Sequence, residues 1–364
     1  MFKESLTYDD VLLVPQYSDI QSRKEVNIGN WLDEKRGLYF SLPVIASPMD
    51  TICDEEMARF MANYGGLGIV HRYNTVAQQT DILTLLKDDS VDLSKVGFAI
   101  GVTDDYLERA LSLVKNGAKI LCVDVAHGDH IMMKSALFTL RKELGDEPHI
   151  MAGNVATLEG FERLASWGAN SIRIGIGGGS ICSTRIQTGH GVPSLSSIIE
   201  CARSGNHEVK LIADGGIKNS GDIVKAIGAG ADFAIIGSIL AGTDRTPGEV
   251  FKEQGQLRKA YRGMASKEAQ VDWRGRASSL EGIATSVPYK GSTQDVVDQL
   301  KNGISSGFSY TGARTINEFW AKVQFIRQSA ASIKESDTHI LSRNKWKTIN
   351  TIHPYTKKLS FLKK

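Results

Sequence analysis

Three observations predict a (β/α)8 barrel. First, eight short apolar runs rich in β-branched residues alternate with longer amphipathic segments, and alternating strand and helix imply a parallel sheet. Second, three runs share one lead-in, in NGAKILCVDV, WGANSIRIGI and AGADFAIIGS, which reads as a glycine-capped helix end feeding a buried strand. Third, each run ends in a residue with chemistry or a tight turn: Ser47, His71, Gly101, Asp124, Asn154, Gly175, Asp214 and Gly237. Strand C-termini form the active-site face of such barrels. Any one of these residues is as readily a turn or a helix cap. Eight collected at one end of a barrel read as a site.

The elements follow in order. Residues 1–40 precede the first strand and are expected to lie across the barrel. The strands are then PVIAS from Pro43, LGIVH from Leu67, VGFAIG from Val96, KILCVDV from Lys119, HIMAGN from His149, SIRIGI from Ser171, KLIAD from Lys210 and FAIIGS from Phe233. Residues 262–291 are expected to follow the eighth strand's helix and to leave the βα rhythm, being rich in Gly and Ser without an apolar period. They read as a long mobile excursion, an active-site flap at about 265–290, and loops of that length are usually functional. The strand units follow one another closely. Residues 1–364 are therefore expected to form a single catalytic domain ending in a basic tail at about 345–364, read as a solvated terminus.

Composition excludes several function classes. Of 364 residues, 41% are hydrophobic and 23% charged, as in ordinary soluble proteins. A net charge of +2 argues against nucleic acid or a membrane surface as partner. No apolar stretch reaches the roughly 18 residues needed to span a bilayer, and the opening MFKESLTYDD has no apolar signal region. The four cysteines (Cys53, Cys122, Cys182, Cys201) show neither a CxxC pair nor a disulfide framework, which points to a reducing cytoplasm.

The stretch from Gly175 to Arg185, GIGGGSICSTR, is the most informative. As a dinucleotide fingerprint it lacks the third glycine and the downstream acid. It has no GK[ST] ending, so it is not a Walker A loop. Most lone cysteines are inert buried thiols, and Cys122 inside KILCVDV fits that description. Cys182 instead sits among glycines that let the backbone approach a ligand. Thr184 can relay a proton and Arg185 favours a thiolate, so Cys182 reads as a nucleophile. The glycine carbonyls can also hold a monovalent cation. Phosphate is better served by IADGGI and IGSILAG, at the ends of strands seven and eight. Asp214 can accept from two ribose hydroxyls, which would lay a nucleoside monophosphate across the barrel mouth with its base at Cys182.

These residues resemble the IMP dehydrogenase/GMP reductase family along nearly the whole chain. The resemblance rests on TYDDVLLVP, ASPMDT, GGLGIVHR, VDVAHG, MAGNVAT, GIGGGSICSTR, TGHGVP, IADGGI, GSILAGT, PGE, YRGMAS, EG and VPYKG. It implies a (β/α)8 barrel assembled as a homotetramer. It also implies catalysis by Cys182, attacking purine C2, with Thr184 and Glu281. Ser47, Met49, Ser180, Asp214, Gly216, Gly237, Ser238, Tyr261, Gly263 and Met264 match the nucleotide site. Asp124 and Asn154 match positions near the nicotinamide. Gly177, Gly179 and Cys182 match backbone ligands of a monovalent cation such as potassium.

The family holds two activities that share the purine adduct. The dehydrogenase turns IMP, NAD and water into XMP and NADH, and an Arg-Tyr pair on its flap activates the water. The reductase turns GMP and NADPH into IMP, ammonia and NADP, and needs no such pair. Here Lys267 to Leu280, KEAQVDWRGRASSL, is short and holds Trp273, Arg274 and Arg276 but no tyrosine. With QFIR near Gln324 and no accessory domain, this favours the reductase. Arg72, where compared reductases carry lysine, and YRGMAS, GTDRTPGE and YTGARTI favour the dehydrogenase, and Gly178 replaces a frequent proline. The flap carries the chemical difference, so the expectation is a GMP reductase. The alternatives are an IMP dehydrogenase without the accessory domain, a member acting on a deoxynucleotide or modified purine, and a non-catalytic nucleotide-binding regulator.

Overall fold

A computed structural model describes residues 3–206, 208–278 and 280–336. The basic tail expected at 345–364 lies outside the described residues.

Eight parallel strands close into a barrel in chain order: β1 (Val44–Ala46), β2 (Leu67–Val70), β3 (Val96–Ile100), β4 (Ile120–Asp124), β5 (His149–Val155), β6 (Ser171–Ile174), β7 (Lys210–Asp214) and β8 (Phe233–Ile236). β8 pairs with β1, Ala234 opposite Val44, to close the ring. Each apolar run is thus a barrel strand. Along β4, Ile120 and Cys122 join the barrel's inner cluster while Leu121 and Val123 face the outer helices. The three shared lead-ins place Gly117, Gly168 and Gly230 at φ +112°, +102° and +111°, where a left-handed residue stops a helix before the next strand.

The N-terminal segment serves both ends of the barrel. The antiparallel hairpin Asn30–Asp33 with Leu38–Phe40 contributes Leu32, Leu38 and Phe40 to the inner cluster and so plugs the floor. Phe40 meets Phe233 edge-on, with centroids 5.8 Å apart. Asp33 of the hairpin contacts His149 Nδ1 at 2.9 Å, and His149 Nε2 contacts Ser171 Oγ at 2.8 Å. This resembles a serine–histidine–aspartate chain, but His149 and Ser171 are fully buried at the strand N-termini, so its role is to lock the plug. Upstream, Thr7–Asp9 reach the opposite face and line its cavity.

The excursion corrects two expectations. It precedes the eighth unit's helix, Thr293–Tyr310, rather than following it. It is also patterned. Strands Phe251–Glu253, Gln256–Arg262 and Ala284–Pro288 form an antiparallel sheet, and Lys267–Arg274 is a helix. Ser266 caps that helix by accepting from Ala269 N–H, and Gly275 ends it at φ +71°. The helix buries only Ala269 and Gln270, so it shows no apolar stripe in the sequence.

Replacing Phe40 by Ala should cost about 3–5 kcal/mol of stability, the scale of a deleted core aromatic. Urea unfolding measures it, and a loss below about 1 kcal/mol would remove the hairpin from the core.

Candidate active site

The C-terminal ends of the strands open into one cavity of about 650 Å³. It brings together Ser47, Met49, Asp124, Asn154, Gly177, Gly179, Ser180, Cys182, Thr184, Asp214, Gly216, Gly237, Ser238, Tyr261, Gly263, Met264 and Glu281, whereas His71 and Gly101, at the ends of β2 and β3, do not line it.

The floor is built around Arg173, which sequence reasoning passed over. Arg173 lies on β6 with its side chain 7% exposed. Its Nη1 donates to Asp124 Oδ1 at 2.5 Å, and its Nε and Nη2 donate to Asp214 Oδ2 at 3.0 and 2.7 Å. Burial alone would loosen the guanidinium proton. The Asp214 and Asp124 charges more than reverse this and hold its pKa well above the ordinary value. Asn154 adds a fourth strand by donating to Asp214 Oδ2 at 2.9 Å and to the Gly175 carbonyl at 2.8 Å. These bonds to Asp214 all end on Oδ2, which leaves Oδ1 for a ligand. The signal was an arginine inside the apolar run SIRIGI, since a buried charge demands partners.

The cysteine loop rises from this floor. At Gly175 (φ +149°) any Cβ would fall 1.8 Å from the Asp214 carbonyl, so only glycine lets the chain turn there. Gly216 (φ +80°) turns the facing loop after β7. Cys182 Sγ lies 3.2 Å from Thr184 Oγ1, whose hydroxyl donates to Glu281 Oε2 at 2.7 Å. Glu281 arrives from the excursion, held as Ser183 N–H donates to its carbonyl at 2.9 Å and its own N–H donates to Ala265 O at 3.2 Å. The thiol thus donates into a hydroxyl that donates to a carboxylate, a continuous path for a proton. Cys182 is half-buried, whereas Cys53, Cys122 and Cys201 are buried. Burial pushes the thiols of Cys122 and Cys201 up to about 12, which keeps them inert.

The other walls carry polar groups suited to a phosphate ester. Ser180 Oγ and Tyr261 Oη are 3.1 Å apart. Gly237 packs beside Met49, Tyr261 and Ser47 in this corner. Lys290 Nζ donates to the carbonyls of Ser238 and Ile239 at 2.8 and 2.9 Å and fixes the loop after β8. From the flap, Gln270 and Arg274 line the cavity while Arg276 does not. Trp273 stacks on Tyr73, another lining residue, with centroids 5.8 Å apart. Arg72 Nε stands 3.7 Å from Asp124 Oδ2.

Comparison with known proteins accounts for this arrangement. Residues 5–339 match the model of the IMP dehydrogenase / GMP reductase domain. GMP reductase of Leishmania major is 32% identical over 482 aligned positions, covering 93% of this chain and 98% of that protein. Inosine-5'-monophosphate dehydrogenase of Cryptosporidium parvum is 34% identical over 387 positions, covering 92% and 95%. A crystal structure of a cysteine-to-alanine variant of GMP reductase from Trypanosoma brucei, in complex with guanosine 5'-monophosphate, superposes with a TM-score of 0.86 at 32% identity, covering 94% of this chain and 99% of that one. The chain therefore belongs to the IMP dehydrogenase/GMP reductase family and is an oxidoreductase with the family's nicotinamide chemistry.

Arg173→Met should cost about 3–5 kcal/mol, because it strands two carboxylates that share one buried cation. Denaturant unfolding reads this. A variant as stable as wild type would mean that the two acids do not need the arginine.

Proposed function

We propose that this oxidoreductase is a GMP reductase, converting GMP and NADPH to IMP, ammonia and NADP. The observation that carries the reading is the Cys182–Thr184–Glu281 chain lying beneath a flap, Lys267 to Leu280, that holds no tyrosine. Reductive loss of an amine needs a nucleophile and a proton carrier. Hydrolysis needs an activated water besides. The length of the chain does not separate the activities. The Leishmania reductase aligns over more positions than this chain has residues, whereas the Cryptosporidium dehydrogenase aligns over a span close to its length.

In this reading the phosphate of GMP rests on Ser180, Gly216, Gly237, Ser238 and Tyr261. The ribose meets Asp214 Oδ1, and the base lies by Met49, Gly263 and Met264. Cys182 passes its proton through Thr184 to Glu281, and Sγ adds to C2. The exocyclic amine takes the proton back along the same chain, the C2–N bond breaks and ammonia leaves. Asp124 and Asn154 would hold the nicotinamide of NADPH beside C2, where it would supply a hydride. The C2–S bond then breaks, releasing IMP and a Cys182 thiolate, which takes one proton from solvent by way of Glu281 and Thr184 to restore the thiol. The carbonyls of Gly177, Gly179 and Cys182, all in the cysteine loop, are the candidate ligands of a monovalent cation such as potassium. Gly179 O already accepts Cys182 N–H at 3.1 Å and offers its second lone pair. Four unpaired cysteines suit the cytoplasm, and assembly as a homotetramer follows from the family resemblance alone.

The second reading, an IMP dehydrogenase acting with NAD, is favoured by Arg274 at the cavity wall, where it could help activate water. Absorbance of the reduced nicotinamide separates the two. The reductase consumes NADPH with GMP and releases ammonia in equal amount. A rising signal with IMP and NAD, and none lost with GMP, would make the chain a dehydrogenase. Glu281→Gln keeps the hydrogen bond but breaks the proton path, so kcat should fall roughly 100-fold or more with little change in KM for the nucleotide. Cys182→Ala should bind nucleotide without turnover. Equal losses in binding and rate for Glu281→Gln would reduce Glu281 to a contact.

A further inference from the structure

The loop that carries Met49 and the flap helix Lys267–Arg274 meet at a residue the chemistry above leaves unused. Arg262, which ends the strand Gln256–Arg262, donates from Nε and Nη2 to Asp50 Oδ2 at 3.0 and 2.7 Å, and from Nη1 to Asp272 Oδ2 at 2.5 Å. Asp50, beside Met49, has its side chain 9% exposed, whereas Asp272, on the flap helix, is 65% exposed. Thr51 Oγ1 accepts Arg262 N–H at 3.2 Å, and Asp50 N–H lies 3.3 Å from Met264 Sδ. A second tie joins the next flap residue to the barrel. Trp273 stacks on Tyr73, whose hydroxyl donates to the Met264 carbonyl at 2.7 Å.

We propose that the Asp272–Arg262–Asp50 bridge and the Trp273–Tyr73 stack form a latch, with Arg262 as its positioning residue. The latch holds the flap helix as a wall of the cavity and fixes Met49 and Met264 in the same act. The physical order is set by burial. Asp50 is nearly sealed and needs a cation, so it fixes the Arg262 fork. The remaining N–H of that fork is then preorganised for Asp272 at small entropic cost. The outer pair is exposed and therefore weak, and the stack adds a modest, directional contact. The flap is thereby held but easily released. Because Gln270 and Arg274 share the cavity with Cys182, release exposes the thiol. The inference goes beyond the choice between reductase and dehydrogenase and holds for either.

The test needs no turnover. Iodoacetamide alkylation of the native full-length protein reads Cys182, since the other three cysteines are buried. Asp272→Asn removes the charge at constant shape and should speed alkylation about threefold, the weight of an exposed ion pair. Trp273→Ala should speed it further, Asp272→Glu should restore the wild-type rate, and Glu268→Gln, on the same helix, should leave it unchanged. Tm measured alongside should stay constant for Asp272→Asn, which separates a released flap from a loosened fold. Wild-type alkylation rates in both Asp272→Asn and Trp273→Ala would overturn the latch, as would a Glu268→Gln rate equal to that of Asp272→Asn.

Discussion

One buried cation sets the geometry of the whole site. Arg173 on β6 binds Asp124 at the end of β4 and Asp214 at the end of β7, and Asn154 on β5 joins the same oxygen of Asp214. Four consecutive strand ends are thereby fixed against one another. The arrangement is costly to desolvate, and it persists because each charge finds a partner. The cysteine loop begins two residues after Arg173, at a glycine that clears the Asp214 carbonyl. The position of the proposed nucleophile, Cys182, is therefore inherited from the ion pairs beneath it.

Above this floor, the groups proposed to react come from two distant parts of the chain. Cys182 and Thr184 belong to the loop after β6. Glu281 comes from an excursion about 100 residues later, and a short bridge between Cys182 and Gly282 joins the two. The excursion thus completes the proton path as well as covering the cavity. On the proposed reading, one barrel body can host two reactions, the thiol, its proton path and the nucleotide cradle serving both and the flap distinguishing them.

Much of this is legible in the sequence because it is local. The barrel strands are runs of buried β-branched residues, and their ends carry the polar groups that face the cavity, so Asp214, Asn154 and the cysteine loop can be found by position alone. What is not legible is long-range pairing. Arg173 reads as an oddity inside SIRIGI until Asp124 and Asp214 appear beside it. Trp273 and Tyr73, like Arg262 and Asp50, are about 200 residues apart, and nothing in either stretch names the other. The flap helix escapes notice because it buries one alanine and one glutamine and so carries no apolar stripe. The eighth helix is not legible by rhythm because the excursion interrupts the βα alternation before it.

The central claim is that the Cys182 thiol displaces the amine of GMP, and it can be tested without hydride transfer. The protein is mixed with GMP and oxidised NADP, which fills the cofactor's place but carries no hydride, then quenched in acid and digested. The account predicts ammonia in the quenched mixture, at no more than about one equivalent per site, and a purine nucleotide attached to the peptide that contains Cys182. Turnover of GMP with NADPH, but neither ammonia nor a modified Cys182 peptide under these conditions, would contradict it.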